Sequence, residues 1–379
     1  MRAGPLSDME KQMMKKVFRV LGFCFLFILL AVGALGVYAW RQLGAAPSAQ
    51  ELKKYENLPY FQNGHFVSRT DISVHPEKMS GGKSSMLKLF LAGNDVPELP
   101  TQQLTPASFG APEEMAVYWL GHSSLIIELD GKRFLVDPVF GNAAPVPGLF
   151  KRYVPSPLKR QDIPPVDYVL ITHNHYDHLE AATLRALKDR DALFIVPLGV
   201  GAALRSWGIP AARIRELGWD ENLQDGTLTV TAGETGHYSN RRPDDRNKTL
   251  WVSYILQSGD KKIYISGDSG YDADLYHSIG RKYGPFDLAF IEIDAWNEGW
   301  PGIHFFPHQA VQAAQDIGAK EFIPVHWGVF NLGQHPWNES IGKVASLAKE
   351  RGVKLASPLM GQKYVPGQTP TRAWWEEVK

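Results

Sequence analysis

The sequence predicts an α+β protein in which two β-sheets pack face to face with helices outside, preceded by an apolar helix that crosses a membrane. Three observations carry this reading. From Met115 onward, short β-branched and aromatic runs recur with turn residues between them. Stretches with apolar residues at helical spacing alternate with those runs, in two similar halves. Near the N-terminus, "VLGFCFLFILLAVGALGVYAW", from Val20 to Trp40, contains no charged residue.

At about 1.5 Å of rise per residue, that stretch spans roughly 30 Å, the thickness of a bilayer's hydrocarbon core. Lys11, Lys15, Lys16 and Arg19 precede it, and Tyr38 and Trp40 stand at its far end as interfacial aromatics. This asymmetry predicts a cytoplasmic segment 1–19, a single-pass anchor 20–40 in the inner (plasma) membrane, and the bulk of the chain on the outer or periplasmic side. A cleaved signal peptide is the rival, but Val37 and Ala39 make a poor cleavage pair and the apolar run exceeds a usual signal core. The only cysteine, Cys24, lies inside the run. An intrachain disulfide and a cysteine-built zinc site are therefore excluded. Phe23 before it argues against lipid attachment.

Residues 41–112 are rich in Pro, Gly, Lys and Ser and read as a linker and N-terminal extension packing on the main domain. Within them "LKLFLAGND" suggests a short helix or strand. The main domain is expected over 113–365, with a tail at 366–379. Its strands are read, in order, in "MAVYWLGH", "SLIIELDGKRFLVDP", "DYVLITH", "ALFIVP", "RIRELGW" and "TLTVTAG". The first hairpin turns at Asp130-Gly131. "LEAATLRALKD" and, less regularly, "LRSWG" supply helices between them. The second half runs through "LWVSYILQSGDKKIYISGD", turning at Ser258-Gly259-Asp260, then "DLAFIEID", the helix "PHQAVQAAQDIG", "EFIPVHW" and the helix "IGKVASLAKERG".

Composition narrows the function classes. The 379 residues are 44% hydrophobic and 21% charged, ordinary for a globular chain with a large core. Forty basic residues balance 40 acidic ones. No basic excess argues for nucleic acid, and no acidic excess for disorder.

The chemistry concentrates in "THNHYDHLE". "DYVLI" is a continuous apolar run, as expected of a strand buried on both faces, and such strands end where loops build sites. His173 and His175, two apart in extended backbone, project the same way. Asp177 and His178 follow as the chain turns toward a helix. Imidazole and carboxylate together suit zinc, iron or manganese. One loop cannot fill two coordination shells, and three further candidates stand at strand ends: His237 in "ETGHYSNR", Asp268 in "YISGDSGY" and His326 in "FIPVHWG".

Taken together, these motifs resemble the metallo-β-lactamase superfamily of metal-dependent hydrolases, over about residues 113–365. Within it, "VYWLGHSSLIIELDGKRFLVDPVF", "THNHYDHLE" and "HWGVF" look like the branch containing N-acylphosphatidylethanolamine-hydrolysing phospholipase D. The resemblance implies an αββα sandwich with two zinc ions at one sheet edge. It implies that His173, His175 and His237 hold one ion, that Asp177, His178 and His326 hold the other, and that Asp268 bridges them. Two metals about 3.5–4 Å apart can share one water and lower its pKa from 15.7 toward 7, so no serine or cysteine nucleophile is required.

The expected activity is hydrolysis of a phosphodiester, that of N-acylphosphatidylethanolamine first, with a membrane lipid or small phosphodiester as substrate. Asp177 could also orient the water, and His304, in "GIHFFPHQA", is a candidate proton donor. His122, in "WLGHSS", is a candidate for holding a ligand in place. The remaining histidines, at 65, 75, 277, 308 and 335, read as structural or surface residues. "IDAWNEGWPGIHFFP" puts Trp296, Trp300, Phe305 and Phe306 near the expected metal edge, where an exposed aromatic patch would receive acyl chains. Three rival readings remain: a lactone or small-ester hydrolase, a di-iron oxidoreductase, and a non-catalytic membrane scaffold. No flavin-cradling segment accompanies the second, and the intact ligand set argues against the third. The oligomeric state is not legible.

Overall fold

The computed structural model describes residues 7–79 and 96–378, so the segment "LKLFLAGND" lies outside the described residues. Helix α1, Asp8–Leu43, starts at an N-cap Ser7 whose side chain accepts from Glu10 N, while the Glu10 carboxylate bonds back to the Ser7 amide. It begins about three turns earlier than the apolar stretch alone suggests and buries none of its residues. Helix α2 is Ala49–Lys53. A small hairpin, β1 (Phe61–Gln62) and β2 (His65–Phe66), follows, and Tyr55, Phe61 and Phe66 of this extension enter the main core.

The first half of the domain holds β3 (Met115–Gly121), β4 (Ser124–Leu129), β5 (Lys132–Val136), β6 (Tyr168–Leu170), helix α3 (Ala181–Leu187), β7 (Leu193–Pro197), helix α4 (Gly201–Ser206) and β8 (Ile214–Leu217). The second holds β9 (Asn222–Asp225), β10 (Leu228–Gly233), β11 (Ser253–Ser258), β12 (Lys261–Ile265), α5 (Ala273–Tyr283), β13 (Leu288–Glu292), α6 (Pro307–Asp316), β14 (Phe322–Val325), α7 (Glu339–Glu350) and β15 (Lys363–Tyr364). One sheet runs β15-β3-β4-β5-β6-β7-β8, the other β14-β13-β12-β11-β10-β9.

Strands joined by tight turns pair antiparallel, as β3–β4–β5, β9–β10 and β11–β12 do, and β10 pairs antiparallel with β11 across the long loop that carries His237. Strands joined through a longer crossover pair parallel, as β5–β6–β7–β8 and β12–β13–β14 do. The period-2 alternation of strand side chains sorts them between two cores. Val117, Trp119, Leu125 and Ile127 face the other sheet. Tyr118, Leu120 and Ile126 face outward with Leu184, Leu187 and Leu204 of α3 and α4. Covering on both faces is why these strands read as unbroken apolar runs.

Three elements lack the expected signal. Helix α5 is interrupted by charge and glycine; its apolar face is only Leu275, Tyr276 and Ile279, and its start is set by Asp272, whose side chain accepts from Leu275 N at 2.8 Å. Strand β9 is short, polar and mostly exposed. The stretch beyond 365 is more than a loose end: Trp374 and Trp375 are buried, and Trp374 stacks on Trp327 at 5.3 Å.

Candidate metal centre

The carboxyl ends of β5, β6, β10, β12, β13 and β14 and the β3–β4 turn open at one rim of the sandwich, and every residue of the centre lies there. Two close approaches bring the loops together. His326 N donates to His122 O at 3.0 Å, linking the sheets. Gly270 N donates to Gly236 O at 2.6 Å, and a Cβ on Gly270 would overlap the Gly302 carbonyl, so only glycine fits beside Asp268. His122 and His326 both adopt left-handed backbone, with φ of 52° and 69°. That conformation is unusual for a non-glycine residue and is maintained here by surrounding packing.

The structure brings His173, His175, His237 and Asp268 into one group, and His122, Asp177, His178 and His326 into a second. In the first, His173 Nε2 lies 2.9 Å from His175 Nδ1, and His237 Nε2 lies 3.3 Å from the same atom. In the second, His178 Nε2 and His326 Nε2 lie 3.5 and 3.4 Å from Asp177 Oδ2. Asp268 reaches both: Oδ2 is 3.7 Å from His173 Nε2 and from His237 Nε2 and 3.2 Å from His326 Nε2, while Oδ1 is 3.1 Å from His178 Nε2. Bonds of about 2.1 Å to a tetrahedral cation put neighbouring ligand atoms about 3.4 Å apart. The donor atoms are spaced as the corners of such polyhedra. Moreover, His178 Nε2, His326 Nε2 and Asp268 Oδ1 are buried without a hydrogen-bond partner. Buried polar atoms left this way are costly unless a ligand completes them. The residues fit divalent cations.

Outer contacts aim the rings. His237 Nδ1 faces Ile303 O at 3.1 Å, and His178 Nδ1 faces Asp137 Oδ2 at 2.8 Å. Thr172 Oγ1 donates to Asp137 at 2.6 Å and accepts from His173 Nδ1 at 3.1 Å. Each contact settles which nitrogen carries the proton and turns the other toward the centre. Burial holds His173 and His237 well below the usual imidazole range and His175 at about 4, so all three stay neutral and able to bind metal. Burial opposes ionisation of Asp268, but the charges of His178 and His326 outweigh it and its carboxyl sits well below the ordinary range.

His122 donates from Nε2 to Asp177 Oδ2 at 3.0 Å, fixing that carboxylate, and its ring packs 3.9 Å from that of His326. His304 turns Nδ1 to Glu292 Oε2 at 3.0 Å and lies on the wall of the cleft. The two acidic anchors, Asp137 and Glu292, escape the sequence reading. Each is a carboxylate at the end of an apolar strand, "FLVD" and "AFIE", and that placement is the signal available. The aromatic expectation needs correction. Trp300 and Phe305 are buried rather than exposed, because Trp300 packs on Met79 and Ile303 and Phe305 enters the core beside Tyr276. Trp300 still edges the cleft; Trp296 is turned away, stacked on His335 at 3.6 Å with Nε1 donating to Ser340.

Above the centre lies a cleft of about 840 Å³. Val74, Leu149, Ile303 and Leu332 give it apolar walls, Tyr238 and Arg246 stand beside the first group, and Leu43 at the end of α1 reaches its rim. Arg246 holds its guanidinium 5.0 Å above the Tyr238 ring. Buried Arg241 ties the end of α1 to the metal loop. It donates to the carbonyls of Gln42 and Leu43 on one side and of Asn174 and Leu179 on the other, at 2.6–3.1 Å.

A two-sheet sandwich with helices outside and a histidine–aspartate rim is the metallo-β-lactamase fold, which implies a divalent metal. The chain belongs to the β-lactamase superfamily, whose domain matches residues 132–327. An uncharacterized protein of Mycobacterium tuberculosis is 40% identical over 84% of this chain and 88% of its own length. The N-acyl-phosphatidylethanolamine-hydrolyzing phospholipase D 1 of Caenorhabditis elegans is 32% identical over 62% of this chain and 70% of its own. Among solved structures, an isothiocyanate hydrolase from Delia radicum gut bacteria aligns with a TM-score of 0.54 at 23% identity, covering 66% of this chain and 99% of its own. The di-iron β-hydroxylase CmlA of Streptomyces venezuelae aligns at 0.52 and 20%, covering 68% of this chain and 55% of its own. The chain is a metal-dependent hydrolase of this fold.

Proposed function

We propose that this hydrolase is membrane-anchored and dinuclear, and that it cuts a phosphodiester bond in a lipid of the N-acylphosphatidylethanolamine type. The observation that carries the reading is the cleft, with the two ligand groups at its floor, apolar walls, and the end of the apolar helix at its rim. Such a cavity suits an acyl chain joined to a charged headgroup. The name of the nematode relative points the same way.

In this reading His173, His175 and His237 hold one cation, Asp177, His178 and His326 hold the other, and Asp268 joins them. When bound, the cations make a nucleophile of a shared water and neutralise charge on the phosphoryl oxygens. Zinc is the expected metal, and the thiolate-free donor set also suits iron or manganese. His122 keeps the Asp177 carboxylate oriented. Arg246 meets the phosphodiester anion, the geometry for which guanidinium is suited. His304 is held through Nδ1 by Glu292; as an imidazolium it would give its Nε2 proton to the leaving oxygen and keep the Nδ1 proton.

The test is turnover of N-acylphosphatidylethanolamine and of lactones by the purified full-length protein. His304→Gln should cut turnover of the phosphodiester by about a hundredfold or more with metal content unchanged. Lactone turnover without phosphodiester turnover overturns the proposal. One observation favours a second reading, a di-iron oxidoreductase: Glu292 and His304 group with Asp268 and His326, adding a carboxylate of the kind iron accepts. Activity supported by native iron and not by zinc would establish it.

A further inference from the structure

A second cavity, of about 970 Å³, lies where α1 meets the domain. Tyr38, Trp40, Arg41, Gly44, Arg185, Ser206, Trp207 and Arg242 contribute to it. We propose that this pocket binds the phosphate of an anionic phospholipid headgroup. The inference rests on reading α1 as a membrane span and is independent of the metal centre.

Depth is the first argument. The uncharged stretch ends at Trp40, so Arg41 is the first charged residue beyond the hydrocarbon core. Tyr38 and Trp40 are the aromatics expected at headgroup level. The pocket therefore opens where phosphates lie.

Charge is the second. Among the described residues, neither Arg41 nor Arg185 has a carboxylate within ion-pair distance; of the three arginines only Arg242 does, with Asp244 at 3.1 Å. Arg185 is held in place without being neutralised. Its guanidinium donates to Arg41 O and lies 5.9 Å over the Trp207 ring. Burial and the charge of Arg41 both lower the Arg185 pKa, and an anion between the two would relieve that repulsion. Two cations kept near one another with no acidic partner are an anion site, and guanidinium is matched to phosphate oxygens.

The third argument removes an objection. The C-terminal end of a helix carries partial negative charge, which repels phosphate. Here that end is already satisfied: Trp207 Nε1 and Arg185 donate to Arg41 O, Arg241 to Gln42 O and Leu43 O, and Arg242 to Gly44 O. Arg242 also lies over the Trp40 ring at 4.9 Å and forms part of the wall of the metal cleft. A lipid seated here would have its headgroup beside the entrance to the centre.

The experiment uses the full chain in phosphatidylcholine nanodiscs containing a minor fraction of phosphatidylglycerol, with retained lipid counted by native mass spectrometry. The wild type should retain phosphatidylglycerol above its share of the bilayer. Arg41→Gln and Arg185→Gln should each lower that enrichment about fivefold, with metal content unchanged in both and melting temperature unchanged in Arg41→Gln. Arg41→Gln is the cleaner variant, since the Arg41 side chain bonds no protein group among the described residues. Equal retention of both lipids, or enrichment that survives both substitutions, refutes the proposal. Inorganic phosphate bound in detergent as tightly as phosphatidylglycerol would assign a free-phosphate site instead. Vesicle flotation separates the two premises: a chain that fails to float refutes the membrane reading and this pocket with it, whereas one that floats without headgroup preference refutes the pocket alone.

Discussion

In the group formed by His173, His175 and His237, burial dominates and leaves neutral rings. In the neighbouring group burial likewise holds His122 at about 3, but at His178 and His326 it is outweighed. Asp268, Asp177 and Asp137 lift His178 well above its usual range, and Asp268 and Asp177 lift His326 to about 10. Without a cation, the first group's rings stay neutral, whereas His178 and His326 favour their protonated forms. The difference lies in which carboxylates stand close: Asp137 bonds His178 at 2.8 Å, Asp177 lies 3.5 and 3.4 Å from His178 and His326, Glu292 adds to His326, and Asp268 is shared. A cation enters the first group without displacing protons and must expel them from the second.

The largest test of this comparison is Asp268→Ala. It removes the carboxylate that reaches both groups, so bound metal should fall toward zero and turnover on the order of a thousandfold or more. Retention of two metals per chain, read by elemental analysis, would break the shared-carboxylate reading. Next come His237→Ala and His326→Ala. Each should empty its own group and halve the metal content; if either variant loses both ions, the groups are not separable. Asp137→Asn should weaken metal affinity about 10–100-fold in the second group, leaving the first nearly untouched, as a chelator titration would resolve.

The smallest effect concerns pH. His326 has its pKa raised in the fold to about 10 against about 6.5 unfolded. Its pairing with Asp268 and Asp177 thus stabilises the metal-free protein fully below about pH 6.5, and that contribution fades as pH climbs through 10. Thermal melts of chelated protein should decline across this window more than melts of loaded protein. Parallel curves would show that the histidine does not carry the proton.

The same comparison explains what was legible in the sequence. The seven expected ligands, which the structure brings to one rim, stand in short motifs that follow apolar strands, so local order pointed to them. Asp137 and Glu292 were illegible as site residues because their neighbours come from pairing: β5 beside β6 brings Asp137 to His178, and β13 between β12 and β14 brings Glu292 to Ser269 and His326. Strands covered on both faces announced themselves, as did the hairpins at Asp130-Gly131 and Ser258-Gly259-Asp260. Helix α5 did not, because its short apolar face is defined against the sheet rather than by a long periodic run. The direction in which Trp296 turns depends on His335 and Ser340, forty residues on, and no local pattern encodes it.

Arg241 has a practical consequence for anyone preparing the catalytic domain without α1. Its guanidinium is enclosed, and the carbonyls of Gln42 and Leu43 take up donors that the metal loop does not. A truncation that begins at Ala45 would leave those donors facing nothing, with the strain passed to Asn174 and Leu179 in the very segment that carries His173 and His175. Cutting a few residues earlier keeps the brace intact, so the last turn of the apparent leash belongs to the frame of the catalytic head.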